Sequence, residues 1–101
     1  MIEGLKIKVN SAELKAQIES RATYHSERAK WYERQIGNLR AGGVMPGELT
    51  SDPVSRLERS AKEHQEKAAL FFFMAEHIIP NEEYILDEGD LSFIELYSRY
   101  F

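Results

Sequence analysis

His25 and His64 are the side chains that the sequence places best for chemistry. Each occupies a core position in one of two heptad-like runs. Pairing the runs antiparallel sets His25 opposite Ala68 and His64 opposite Ala29, one layer apart, so that the two imidazoles can approach each other. The functional readings are a metal site or a pH-sensitive seam, because histidine changes charge near neutral pH. The structural reading is two partly buried histidines, each bonded to a nearby Glu, Ser or Tyr. A metal ion needs a third and a fourth ligand, and the neighbours Ala22, Ala29, Ala61 and Ala68 supply none. No metal ligand set and no cofactor is therefore assigned.

Glu63 and Glu66 offer a second chemistry. Paired helical carboxylates at this spacing hold magnesium in all-α nucleotide pyrophosphatases, which also need an acidic pair on a facing helix. The facing run has Glu19, Glu27 and Glu33 interleaved with Arg21, Arg28 and Arg34, a pattern of salt-bridged surface. A Glu three residues before a His, as in di-iron bundles, is missing: those positions are Ala61 and Met74. No nucleophile motif surrounds any serine, and Ser51 and Ser55 read as capping residues at a helix start. Gly42, Gly43 and Gly47 follow no strand and precede no Lys-Ser/Thr, so they read as turn residues rather than a phosphate loop. With no cysteine, disulfides, thiolate catalysis and cysteine-ligated zinc are excluded.

Hydrophobic spacing predicts the elements that carry these residues. Ile18, Ala22, His25, Ala29, Tyr32, Ile36 and Leu39 recur at intervals of four and three. Val54, Leu57, Ala61, His64, Ala68, Phe71, Ala75 and Ile78 recur at three and four. Folding back at residues 46–47 pairs Leu39 with Val54, Ile36 with Leu57, Tyr32 with Ala61, Ala22 with Phe71 and Ile18 with Ala75. From Tyr32 and Ala61 outward each large side chain meets an alanine, the alternation that a coiled-coil-like antiparallel seam needs.

The first helix is predicted over 11–41. Asn10 and Glu13 form its capping-box-like start, and a left-handed Gly42 or Gly43 closes it. A loop at 42–51 turns through Pro46-Gly47. Asp52 caps a second helix over 53–79, with Pro53 at its first position and Pro80 ending it. Leu5, Ile7 and Val9 alternate with Lys6 and Lys8, which predicts a strand over 5–9. A second strand over 83–86 meets the first at the open end of the hairpin and runs antiparallel to it. The tail is read as a short helix over 88–97, capped by Asp87 with Asp90. A hairpin through Glu88-Gly89 is the rival, since Leu91, Phe93 and Ile94 also suit a strand.

The 101 residues form one domain, 43% apolar and 30% charged, in the range of soluble globular proteins. The net charge of −4 is unevenly spread. Residues 1–79 carry 12 basic and 11 acidic side chains, whereas 80–101 carry six acidic side chains against Arg99. Lysines and arginines alternate with glutamates along the helices, and the acidic tail would repel phosphate, so no nucleic-acid partner is expected. The longest apolar run, residues 68–75, is too short to span a membrane. The first eight residues lack the basic-then-apolar pattern of a secretory signal, so a cytoplasmic location is expected.

Tyr24 and Trp31, seven apart and off the seam, share a second face of the first helix. Leu70, Phe73, Met74 and His77 form a comparable face on the second, which around 68–79 is apolar on every side and is expected to be buried all round. Apolar residues of both termini are available to cover the open end, and a second copy to cover the Trp31 flank. The sequence thus predicts a mostly α protein: a long antiparallel helical hairpin with a two-stranded ribbon and a short C-terminal helix. Dimerisation would make it a four-helix bundle. Its expected role is a non-enzymatic protein–protein interaction or assembly module anchored by Tyr24, Trp31, Leu70, Phe73 and Met74. The alternative is a small all-α metal-dependent hydrolase, nucleotide pyrophosphatase-like, using His25, His64 and the helical glutamates.

Overall fold

A computed structural model describes residues 6–42 and 53–100. Leu5, Asp52, Gly43 and the Pro46-Gly47 turn lie outside the described residues. Helix makes up 76% of what is described, and two long helices pack against each other as a hairpin. The order is β1 (Ile7–Asn10), α1 (Ser11–Ala41), α2 (Pro53–Glu76), β2 (Glu83–Leu86), α3 (Glu88–Phe93) and α4 (Tyr97–Tyr100).

Asn10 starts α1: its backbone is extended and its side chain accepts from the Glu13 amide at 2.8 Å, satisfying one of the orphan donors of the first turn. The Glu13 carboxylate does not complete a capping box here, for it accepts from Gln17 instead. At the other end Gly42 is right-handed and its N–H turns back to the carbonyl of Asn38, while Gly43, the other candidate for a left-handed cap, lies outside the described residues.

The second helix ends at Glu76, three residues short of the expected 79. His77 and Ile78 donate to the carbonyls three residues back, tightening the last turn. Pro80 disfavours helical backbone at Ile79, whose N–H goes instead to the Tyr84 hydroxyl at 2.9 Å. Asn81, at φ 62°, then makes the turn into β2.

β1 and β2 pair antiparallel, Ile7 with Leu86 and Val9 with Tyr84. These four residues are buried or half-buried while Lys8 and Ile85 face outward, as a period of two requires. The ribbon lies on the open end of the hairpin, where Val9, Leu14, Ile18, Ala22, Phe71, Ala75, Leu91, Ile94 and Leu96 make the core.

The tail is helical but not as one piece. Asp87 and Asp90 form a complete capping box for α3. Then Leu96 N–H reaches back to the Leu91 carbonyl at 2.8 Å and Glu95 N–H to that of Ser92, with Glu95 left-handed at φ 60°. This is a Schellman turn, and it splits the expected 88–97 helix into α3 and α4. It turns Leu96 inward, whereas Tyr97 is exposed.

Burial on α2 also departs from expectation. Phe71, Ala68 and Ala75 are in the seam, but Leu70, Phe72 and Phe73 are exposed, Phe73 at 58%. The ribbon and tail cover one sector of α2 and leave the rest open. The radius of gyration is 18.2 Å and the extents 53 × 34 × 17 Å, against about 13 Å for a compact chain of this length. Over most of its length the hairpin is one layer thick. No described helix is long and apolar enough to cross a membrane.

Candidate functional site

The seam brings His25 of α1 and His64 of α2 into direct contact, their Nδ1 atoms 2.7 Å apart and their ring centroids 4.9 Å apart. Beyond it, His25 Nε2 lies 2.6 Å from Oε1 of Glu95, the left-handed residue of the Schellman turn. Arg21 donates to the same oxygen at 2.6 Å through a terminal nitrogen and at 3.2 Å through Nε. Lys67 donates to the other oxygen at 2.8 Å. One carboxylate thus ties together α1, α2 and the tail.

Aromatic rings enclose the pair. Tyr32 stacks on His64 at 5.6 Å, Tyr24 meets both imidazoles edge-on, and Phe71 meets His25 edge-on at 5.7 Å. His25 is 3% exposed and His64 half-buried. Burial would push the Glu95 carboxyl up, but hydrogen bonds from Lys67, Arg21 and His25 outweigh it and hold the group at about 2. The His64 imidazole is shifted down: burial lowers its proton affinity, the charges of His25, Arg28 and Lys67 lower it further, and only Glu95 opposes them.

The carboxylate that reaches His25 is therefore Glu95, not Glu63 or Glu66. Those two line an open groove on the outside of α2 with Lys67 and Leu70. Among the described residues no group of three or more His, Cys, Asp or Glu side chains is arranged to hold a metal ion, and Glu95 already holds three donors.

Sequence reasoning missed Glu95. It looked like one more acid in an acidic tail, 70 residues from His25. The signal of a helix ending at 94 would have been a glycine at 95, because only glycine takes φ near +60° without strain. Glutamate there costs on the order of 1–3 kcal/mol. The position is useful to the fold because of what its side chain reaches.

The expected anchors divide into two groups. Tyr24 and Trp31 are exposed on the side of α1 from which Arg21 reaches Glu95, with Arg21 over the Tyr24 ring at 4.4 Å and Arg28 over the Trp31 ring at 4.7 Å. Leu70 and Phe73 are exposed on α2, and Phe73 lies against His77 at 4.1 Å. Met74, by contrast, packs against the core and lines a shallow apolar cleft of about 260 Å³ with Ile78, Tyr84 and Phe93. No protein family, curated protein or solved structure matches this chain.

Proposed function

We propose that this protein is a non-enzymatic assembly module that pairs with a second copy of itself through the outer face of α2. The observation that carries the reading is a stripe that the hairpin leaves uncovered. Glu63, Glu66, Leu70, Phe73 and His77 recur at three and four residues, and all five are exposed. That is the spacing of a helix-pairing seam, set on the side of α2 away from α1. Exposed apolar side chains rimmed by charge mark an interface.

Charge selects the occupant. In a two-fold contact the same patch meets itself. With two α2 helices antiparallel about Leu70, Glu63 of one copy lies opposite His77 of the other, Glu66 near Met74, and Phe73 near Lys67. Acid meets base at the rim, Leu70 meets its own copy at the centre, and Phe73 lies along the Lys67 side chain of the other copy. Joined in this way, two hairpins make a four-helix arrangement through their α2 helices, and Tyr24 and Trp31, exposed on α1, stay outside this contact.

Sedimentation equilibrium over a wide concentration range tests this. The native chain should show a monomer–dimer equilibrium. Phe73→Glu should weaken it at least tenfold, with helical content by circular dichroism unchanged because the side chain is exposed. Glu63→Lys should weaken it too, and adding His77→Glu should restore it. A native chain that stays monomeric, or a Phe73→Glu variant that associates as well as the native one, would sink the proposal.

A further inference from the structure

The layer around the two imidazoles is crowded with positive charge. Arg21 and Arg28 on α1 and Lys67 on α2 are permanent cations, and Glu95 from the tail is the one carboxylate among the described residues that the layer hydrogen-bonds. Tyr24, Tyr32 and Phe71 fill the remaining sides. Any proton added here meets three cations and a single anion.

The contact between the rings limits how many protons the layer can take. With Glu95 ionised, His25 donates from Nε2 to Oε1. In the neutral pair, His25 Nδ1 accepts a hydrogen bond from His64 Nδ1–H. In the singly protonated pair, His25 is the imidazolium and donates from Nδ1 to a neutral His64. Both states keep the 2.7 Å contact. A second proton sets N–H against N–H across that distance and places two cations in contact, so the contact must break.

We propose that the His25–His64 pair is an acid-operated switch in the hairpin: it holds the seam shut with at most one added proton, and a second drives His64 out of the seam into solvent. His64 is the ring that leaves. It is half-buried and held through one nitrogen, whereas His25 is 3% exposed and anchored to Glu95. Its departure unstacks Tyr32 and opens the layer beside Tyr24. The inference does not rest on self-association.

The direction of the pH dependence follows from linkage. Folding lowers the proton affinity of His64, so the unfolded chain takes up that proton first. The stability at stake is complete above pH about 6.5 and declines as pH falls below it. Glu95, held at about 2, contributes stability that is present above its ordinary value of 4.5 and is lost only as pH falls towards 2. Between pH 7.5 and 5.5 the Glu95 contribution is constant.

Thermal melts of the full chain at pH 7.5 and 5.5 test the switch in the native protein and in His64→Asn. Asparagine at 64 keeps an amide where Nδ1 sits and cannot titrate. The native chain should lose about 4–8 °C of Tm on acidification, and His64→Asn less than half as much. Imidazole proton–nitrogen NMR of the native chain gives a second readout that does not depend on a variant folding. The His25–His64 hydrogen bond and the stacking of Tyr32 on His64 should be present at pH 7.5 and be lost together on acidification. Parallel losses of Tm in native and His64→Asn chains would overturn the proposal. So would a His25–His64 hydrogen bond and a Tyr32 stacking both intact at pH 5.

Discussion

The open end of the hairpin and its middle obey the same heptad pattern but are built from different materials. At the open end β1, α1, α2, α3 and the 94–96 turn all meet, and the seam residues Ile18, Ala22, Phe71 and Ala75 join Val9, Leu14, Leu91, Ile94 and Leu96 in one apolar cluster. In the middle α1 and α2 meet, and Glu95 reaches in from the tail. There the seam residues Ala29, Ala61 and Ala68 are small, and the space between them is taken by two imidazoles bonded to each other and to Glu95. Apolar packing tolerates imperfect fit and supplies most of the stability. A polar layer stabilises only when every donor and acceptor is matched, which makes it sensitive to register and to protons. No buried side-chain nitrogen or oxygen among the described residues lacks a partner, so the middle layer is complete.

The contrast breaks most readily at Phe71, which is 1% exposed and belongs to both regions: its body fills the open-end cluster and its ring edge meets His25. Phe71→Ala should cost about 3–5 kcal/mol, the loss of a fully buried aromatic plus the cavity it leaves. Urea denaturation followed by circular dichroism reads this directly. A cost under about 1 kcal/mol would mean that ribbon and tail do not pack on α2, and the open end would then not be the core.

Ala68→Leu sharpens the comparison from the other side. Ala68 is buried beside the His25 layer, and the added atoms have nowhere to go without moving an imidazole. The expected cost is about 1–3 kcal/mol from overpacking, and the hydrogen bond between His25 and His64 should vanish from the imidazole NMR spectrum. A neutral result would show slack in the middle layer, whose polar geometry would then not be tightly set.

The parts of this molecule that were legible in the sequence are those written in local periodicity. The three-and-four spacing from Ile18 to Leu39 and from Val54 to Ile78 announces two helices with one seam. The alternation at Ile7 and Val9, and the stop at Pro80, announce the ribbon. Illegible were the features set by one residue's backbone against its own propensity. Glu95 adopts the left-handed conformation that glycine normally marks, so the tail read as one helix and its carboxylate as surface. The exposed Phe72 and Phe73 were illegible for a different reason. A run of apolar residues shows that a helix has several faces to cover, but which faces the chain covers itself depends on where the tail lands.

The closing end of the hairpin supplies the smallest expected effect and the cleanest control. Arg40 and Glu58 pair across it at 2.8 Å, with side chains 66% and 51% exposed. The geometry resembles that of Arg21 with Glu95, at 2.6 Å. The surroundings do not: no second helix or tail among the described residues covers the outer pair, and water screens it. Arg40→Ala should therefore change stability by no more than about 0.5 kcal/mol, as exposed ion pairs do. The same substitution repeated in a Glu58→Ala background should show almost no coupling between the two. If the coupling instead exceeded about 1 kcal/mol, polar contacts would be holding the hairpin at both levels. The difference between its end and its middle would then lie in exposure alone, not in what the contacts contribute.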